Sequence, residues 1–223
     1  QRTEPEPPYH FAFRGRMDER VDNARALCDK RWLYIRNYMP YVPWMQHLDY
    51  LWRMPATQIW EKEVREGRAN EIQSRFFAPK GWTEELYDTQ ADPDCVHNLA
   101  NSPGHHEILV RMRRDLRRQQ ERIHDAGLIP ETEMVRLAEQ NHTTMYEMVR
   151  NPALYNVPTL LDAADLALEQ NPDNLAKLRG WLDDKNLGLR YWGLVGCFLL
   201  NDHQAGLKAI NDESHEIRAL AAW

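Results

Sequence analysis

Asn37, Gln46 and His47 bracket the run Tyr38-Met39-Pro40-Tyr41-Val42-Pro43-Trp44-Met45, in which two prolines stiffen a chain loaded with aromatic rings. Amides, an imidazole and flat apolar faces on a rigid loop are a set suited to binding a ligand. The same rings serve equally well to seal an interface with another domain, and His47 to pack or cap; both readings stand beside the binding one.

Other reactive-looking groups have plainer explanations. Arg111, Arg113, Arg114, Arg117, Arg118 and Arg122 would form a basic stripe on a helix after Pro103. Ile108, Leu109, Met112, Leu116 and Ile123 give that helix a buried face, and Glu107, Asp115 and Glu121 lie close enough to pair with the arginines. With a formal charge of −6 and a pI near 5.9, the chain as a whole repels phosphate, so nucleic acid is not an expected partner. His105-His106-Glu107 lacks the second His one turn away that a helical zinc site requires, and no metal ligand is assigned. Three cysteines, Cys28, Cys95 and Cys197, give neither paired zinc spacing nor a disulfide framework.

The elements that would carry these groups change character along the chain. Two-residue alternation predicts strands at Tyr9 to Arg14, Ala24 to Cys28 and Trp32 to Tyr38, with Asp29-Lys30 as a hairpin turn. Helical spacing follows from Met45 to Glu66, interrupted near Met54 by Pro55. Glu84 to Asp88 reads as a further strand, Ala91-Asp92-Pro93-Asp94 as a turn, and His105 to His124 as a long helix. Beyond Pro130 only helices are expected, with stops at Pro152, Pro158 and Pro172. This shift divides the chain into 1–130 and 131–223.

Within the second part Asp184, Leu189, Arg190 and Gly193 recur as Asp212, Ile217, Arg218 and Ala221 at a constant offset of 28 residues. The small residues at Gly193 and Ala221 allow close helix approach, and Trp181, Trp192 and Trp223 fit core or inter-repeat packing better than a ligand platform. The pattern resembles HEAT and related helical repeats, in which such an Asp and Arg link neighbouring units.

Glu84-Glu85-Leu86-Tyr87-Asp88, then Asp92-Pro93-Asp94 and Asn98-Leu99-Ala100, resembles a signature of sulfatases. Arg16-Met17-Asp18-Glu19-Arg20, Arg25-Ala26 and Tyr34-Ile35-Arg36-Asn37 extend that resemblance upstream, so that it covers residues about 9 to 130. It is closest to the C-terminal region of N-sulfoglucosamine sulfohydrolases and related polysaccharide sulfatases. The resemblance implies an α+β fold, a small antiparallel sheet with long helices beside a larger catalytic domain, followed here by the all-α HEAT-like segment.

The resemblance also implies an activity for the parent protein: hydrolysis of sulfate esters or sulfamates of sulfated carbohydrates such as glycosaminoglycans. That family uses calcium and a formylglycine made from Cys or Ser in a C/S-x-P-x-R motif. None of the thirteen prolines has Cys or Ser two residues before it, so catalytic residues and cofactors are expected outside this stretch, which alone should be inactive. The resemblance implies that this region closes one side of the pocket, so contacts to sugar rings and sulfate are expected from the stretch Tyr38 to His47, with Asn37, Gln46 and His47 as the candidate residues. The expected partners are the sulfated carbohydrate and the protein's own N-terminal catalytic domain, with the alternative that the repeats make the chain a protein-interaction or scaffolding module. A first residue other than Met and an uncapped end at Trp223 lead to the expectation of a piece of a longer protein. Family habit places it in the periplasm or outside the cell, although Gln1 to Pro8 has no signal-peptide pattern, and no window has the roughly 20 apolar residues of a membrane span. Cut from its larger domain, the piece is expected to expose apolar surface and to associate with itself.

Overall fold

A computed structural model describes residues 8–222. The protein is α+β, with one four-stranded antiparallel sheet among the described residues. The chain separates into two compact units, dividing between Leu116 and Arg117.

In the first unit β1 (His10–Arg14), β2 (Ala24–Cys28), β3 (Trp32–Asn37) and β4 (Glu84–Asp88) lie side by side in chain order. Leu27 faces Tyr34, which faces Leu86, and the period of two keeps these on one side of the sheet with Trp32. That face buries against Leu109, Met112 and Leu116 of the long helix α4 (His106–Ile123), as the helical spacing predicted. Ile123 departs from the prediction: it is 37% exposed as the last residue of the helix, although helical spacing keeps it on the stripe of Leu109, Met112 and Leu116. The hairpin between β2 and β3 turns on Asp29, whose carboxylate accepts the amides of Arg31 and Trp32.

Residues 38–83 form one long excursion between β3 and β4, and all of the candidate loop lies in it. The helix expected from Met45 begins only at Asp49, as α1 (Asp49–Trp52), because Pro43 and the backbone bond from Met45 to Phe76 O hold the preceding loop extended. Pro55 then opens α2 (Pro55–Arg65) as its first residue, where a missing N–H costs nothing. A reciprocal Asn70/Gln73 capping box starts α3 (Glu71–Ser74).

The second unit contains α5 (Glu131–Gln140), α6 (Met145–Met148), α7 (Val157–Leu168), α8 (Leu175–Trp181), α9 (Leu187–Leu199), α10 (His203–Ala209) and α11 (His215–Ala221). Pro158, expected to stop a helix, instead helps to start one. It sits in the first turn of α7 behind the Asn156 cap, a position that tolerates proline. Several helices instead end at non-glycine residues in the left-handed region: His124, His142, Gln170 and Asn201, with Pro172 following Gln170 by two.

Side-chain bonding reproduces the 28-residue offset. Asp184 Oδ1 accepts the amide of Asn186, and Asp212 Oδ1 that of Ser214. Arg190 donates back to the carbonyls of Asp184 and Lys185, and Arg218 to those of Asp212 and Glu213. Arg190 also reaches forward to the Asp212 carboxylate at 2.9 Å and to Glu213 at 2.8 Å. Trp192 is fully buried and its indole donates to Leu128 O, Trp181 is half-buried with Lys177 over its ring, and Trp223 lies outside the described residues.

Candidate functional site

The loop after β3 owes its shape to four attachments. Its entry is fixed by Tyr38 N–H donating to Asn23 O at 2.8 Å, and its middle is zipped to residues 76–81. Gly81 N–H donates to Pro40 O, Lys80 N–H to Val42 O and Met45 N–H to Phe76 O, with Pro43 and Pro79 forming an isolated bridge. Tyr38, Met39 and Val42 turn inward and are buried.

Beneath the loop lies an ion pair that removes two charges from water. Lys80 Nζ donates to Asp22 Oδ1 at 2.7 Å and to Met39 O at 3.2 Å, and both charged side chains are 2% exposed. Arg14 Nε approaches the other Asp22 oxygen at 3.2 Å. Burial pushes the Lys80 amine below its ordinary value, and the bond to Asp22 pulls it part of the way back. This pair ties the β1–β2 hairpin to the loop, so the loop's position depends on residues far away in sequence.

The far end of the loop is clasped by the hairpin tip. Gln46 Oε1 accepts Val21 N–H at 3.0 Å while its Nε2 donates to Val21 O at 2.8 Å and to Pro43 O at 3.2 Å. Glu19 accepts the amide of Asp49 at the start of α1. Gln46 thus spends its amide on shape. Next to it His47 is exposed, its ring 4.8 Å from that of Trp52, whose indole donates to Glu61. Asn37 is buried at the loop's root and donates to Glu85 Oε1 at 2.6 Å; Tyr87 donates to the other oxygen of the same carboxylate. The three predicted residues therefore occupy three settings: one root, one clasp and one open imidazole.

Sequence reasoning missed the aromatic run beside this loop. Trp44 lies 6.0 Å from both Trp82 and Phe76, and Trp60 lies 5.6 Å from Phe76 and 5.3 Å from Phe77. The Arg75 guanidinium sits 5.8 Å from the centre of Trp82. A density of Trp and Phe in an otherwise polar stretch was the available signal, but rings at positions 44, 60, 76 and 82 meet only through the zipped loops. No Ser, Thr or Cys occurs between positions 38 and 56. Among the described residues no three His, Cys, Asp or Glu side chains converge as metal ligands, and no calcium ligand is assigned here.

The arginines of α4 are engaged. Arg113 makes two bonds of 2.7 Å to Glu84, Arg111 reaches Asp29 at 3.1 Å, Arg114 reaches Asp115 and Arg117 reaches Glu121, as anticipated for the last two carboxylates. No helix among the described residues is long and apolar enough to cross a membrane.

No family model matches the chain. Over 130 residues, 58% of this chain, the sequence is 38% identical to an ulvan-active sulfatase of Formosa agariphila. The match spans 22% of that relative's length. This similarity supports a sulfatase-family relationship.

Proposed function

We propose that this chain is part of a sulfatase that hydrolyses sulfate esters or sulfamates of sulfated carbohydrates, and that residues 38–47 close one side of its substrate pocket. The observation that carries this reading is the 38% identity to a sulfatase over 130 residues. The anchoring of the loop agrees with it, since recognition needs groups held by packing and by supporting bonds. In this reading His47 meets substrate, Gln46 positions it by gripping Val21, and Asn37 fixes the loop's root through Glu85. The formylglycine nucleophile and calcium belong to other parts of the protein, and this chain alone releases no sulfate. Export to the periplasm or the cell exterior is part of the same proposal.

The test is sulfate release by the full-length parent from sulfated oligosaccharides. His47→Ala is expected to lower kcat/KM about tenfold or more, equivalent to about 1.4 kcal/mol. Unchanged kinetics would remove His47 from the pocket, and a parent that releases no sulfate from any sulfated sugar would remove the sulfatase reading itself.

A second reading concerns residues 131–223 as a HEAT-like interaction segment. The repeated Asp and Arg bonding at 28 residues favours it. A double-mutant cycle on Arg190 and Asp212 is expected to give a coupling of about 1 to 3 kcal/mol; a value near zero would deny the pair its linking role.

A further inference from the structure

We infer that the rings of Trp44, Trp60, Phe76, Phe77 and Trp82, together with the Arg75 guanidinium, form a stacking surface for the sugar units of a sulfated carbohydrate. This inference rests on the sulfatase reading for the class of ligand, and on the geometry for the place.

The rings make one run, each centre 5.3 to 6.0 Å from the next and each plane turned by 49 to 85° from its neighbour, so that a sugar stacks on one ring at a time. None of them joins the buried core: four are half-buried and Phe76 is 48% exposed. Rings that only stabilised the fold would gain most by full burial, whereas these keep part of their surface in water. Their positions are nevertheless fixed. Trp44 and Phe76 are joined through the backbone bond of Met45, Trp82 follows the bond from Gly81 to Pro40, and the Trp60 indole donates to Gln73 O at 2.8 Å.

A fixed, half-wet aromatic surface suits a pyranose ring, whose axial C–H bonds make an apolar face while its hydroxyls remain in water. Sulfate on such a ring adds negative charge, and Arg75 supplies the matching cation beside Trp82. Its contact with the Glu71 carboxylate is long, 3.7 Å, and Glu71 is 90% exposed, so an arriving sulfate meets a weakly held guanidinium. A chain of net charge −6 has no general attraction for polyanions, which makes retention of one a local property.

Affinity electrophoresis of the full chain tests this, with dextran sulfate, unsulfated dextran and inorganic polyphosphate in parallel gels. Dextran sulfate is expected to retard the chain at least tenfold more strongly than either of the others. Trp82→Ala should lose about tenfold of that affinity, and Arg75→Gln should bring retardation by dextran sulfate down to the level of dextran. Arg75 is exposed, so Arg75→Gln keeps the fold and still tests the surface if Trp82→Ala fails to fold. Absence of retardation by dextran sulfate, retardation undiminished in Arg75→Gln, or equal retardation by polyphosphate would each overturn the inference. Concentration-dependent self-association abolished by Phe76→Ala, without retention by dextran sulfate, would overturn it in favour of a protein-covered face. Sulfate release by the full-length parent is measured separately: release with no carbohydrate retention defeats the surface alone, and no release defeats the sulfatase reading.

Discussion

At the scale of single residues, the pair Asp22 and Lys80 matters more to the site than any group with an obvious chemical role. Both charges are buried, and each compensates the other. Asp22→Asn is expected to cost about 3 to 5 kcal/mol, because it leaves the ammonium buried without its counter-charge; urea unfolding monitored by tryptophan fluorescence would measure it. Glu84 offers a test by pH. Burial opposes its ionisation, but bonds from Arg113 and Tyr34 prevail and hold the carboxyl below its ordinary value. A depressed value in the folded state means that the stabilisation is complete above the ordinary Glu value of about 4.3 and is lost as pH falls through the folded value. Acid unfolding of Glu84→Gln should accordingly depend less steeply on pH below that range than unfolding of the natural chain. Equal slopes would show that Glu84 binds protons alike in both states.

At the scale of elements, small residues set how closely α9 is packed. A methyl group added at Gly193 would meet Leu178 O at 2.8 Å and Trp181 Cβ at 3.0 Å, and one at Gly196 would meet Ala167 Cα at 3.1 Å. The partners at Gly193 are backbone and a β-carbon, neither of which can rotate away. Gly193→Ala therefore forces α8 off α9, despite the better helix propensity of Ala, and should destabilise by about 1 to 3 kcal/mol. A thermal midpoint equal to or above that of the natural chain would refute close contact between these helices. In the other unit, the loop at 38–47 shows how an irregular segment becomes a defined surface. Pairing with residues 76–81 satisfies its backbone on one side, and the Gln46 amide satisfies Val21 on the other.

At the scale of the whole molecule, charge decides which partners are available. The six arginines of α4 would make a phosphate-binding stripe if they stood alone, yet Arg111, Arg113, Arg114 and Arg117 are paired with carboxylates and the net charge is −6. No retardation by duplex DNA is expected in a mobility-shift gel at about 0.1 M salt. Binding that weakens steeply with salt would reveal a basic surface that these pairs fail to neutralise. The match spans only 22% of the sulfatase relative's length.

Sequence alone determined the strands, the long helix and the chemistry of the second unit's links. Periods of two and of 3.6 residues are local properties: they marked the strands and gave Leu109, Met112 and Leu116 one helix face, and the tertiary structure set Leu27, Tyr34 and Leu86 against that face. The offset of 28 residues likewise marked Asp184, Arg190, Asp212 and Arg218, whose bonds repeat in space. Helix ends were less legible, since His124 or Gln170 adopts a left-handed backbone without a distinctive residue type, whereas Pro158 marks either a stop or a start. The candidate site was legible only as a loop of suitable composition. Tertiary structure decided that Asn37 turns inward to Glu85, that Gln46 grips Val21, that His47 stays open, and that Trp44, Trp60, Phe76 and Trp82 meet. The physical reason is that each of these contacts joins segments separated by many residues, and no local period encodes a meeting that depends on how two loops are zipped together.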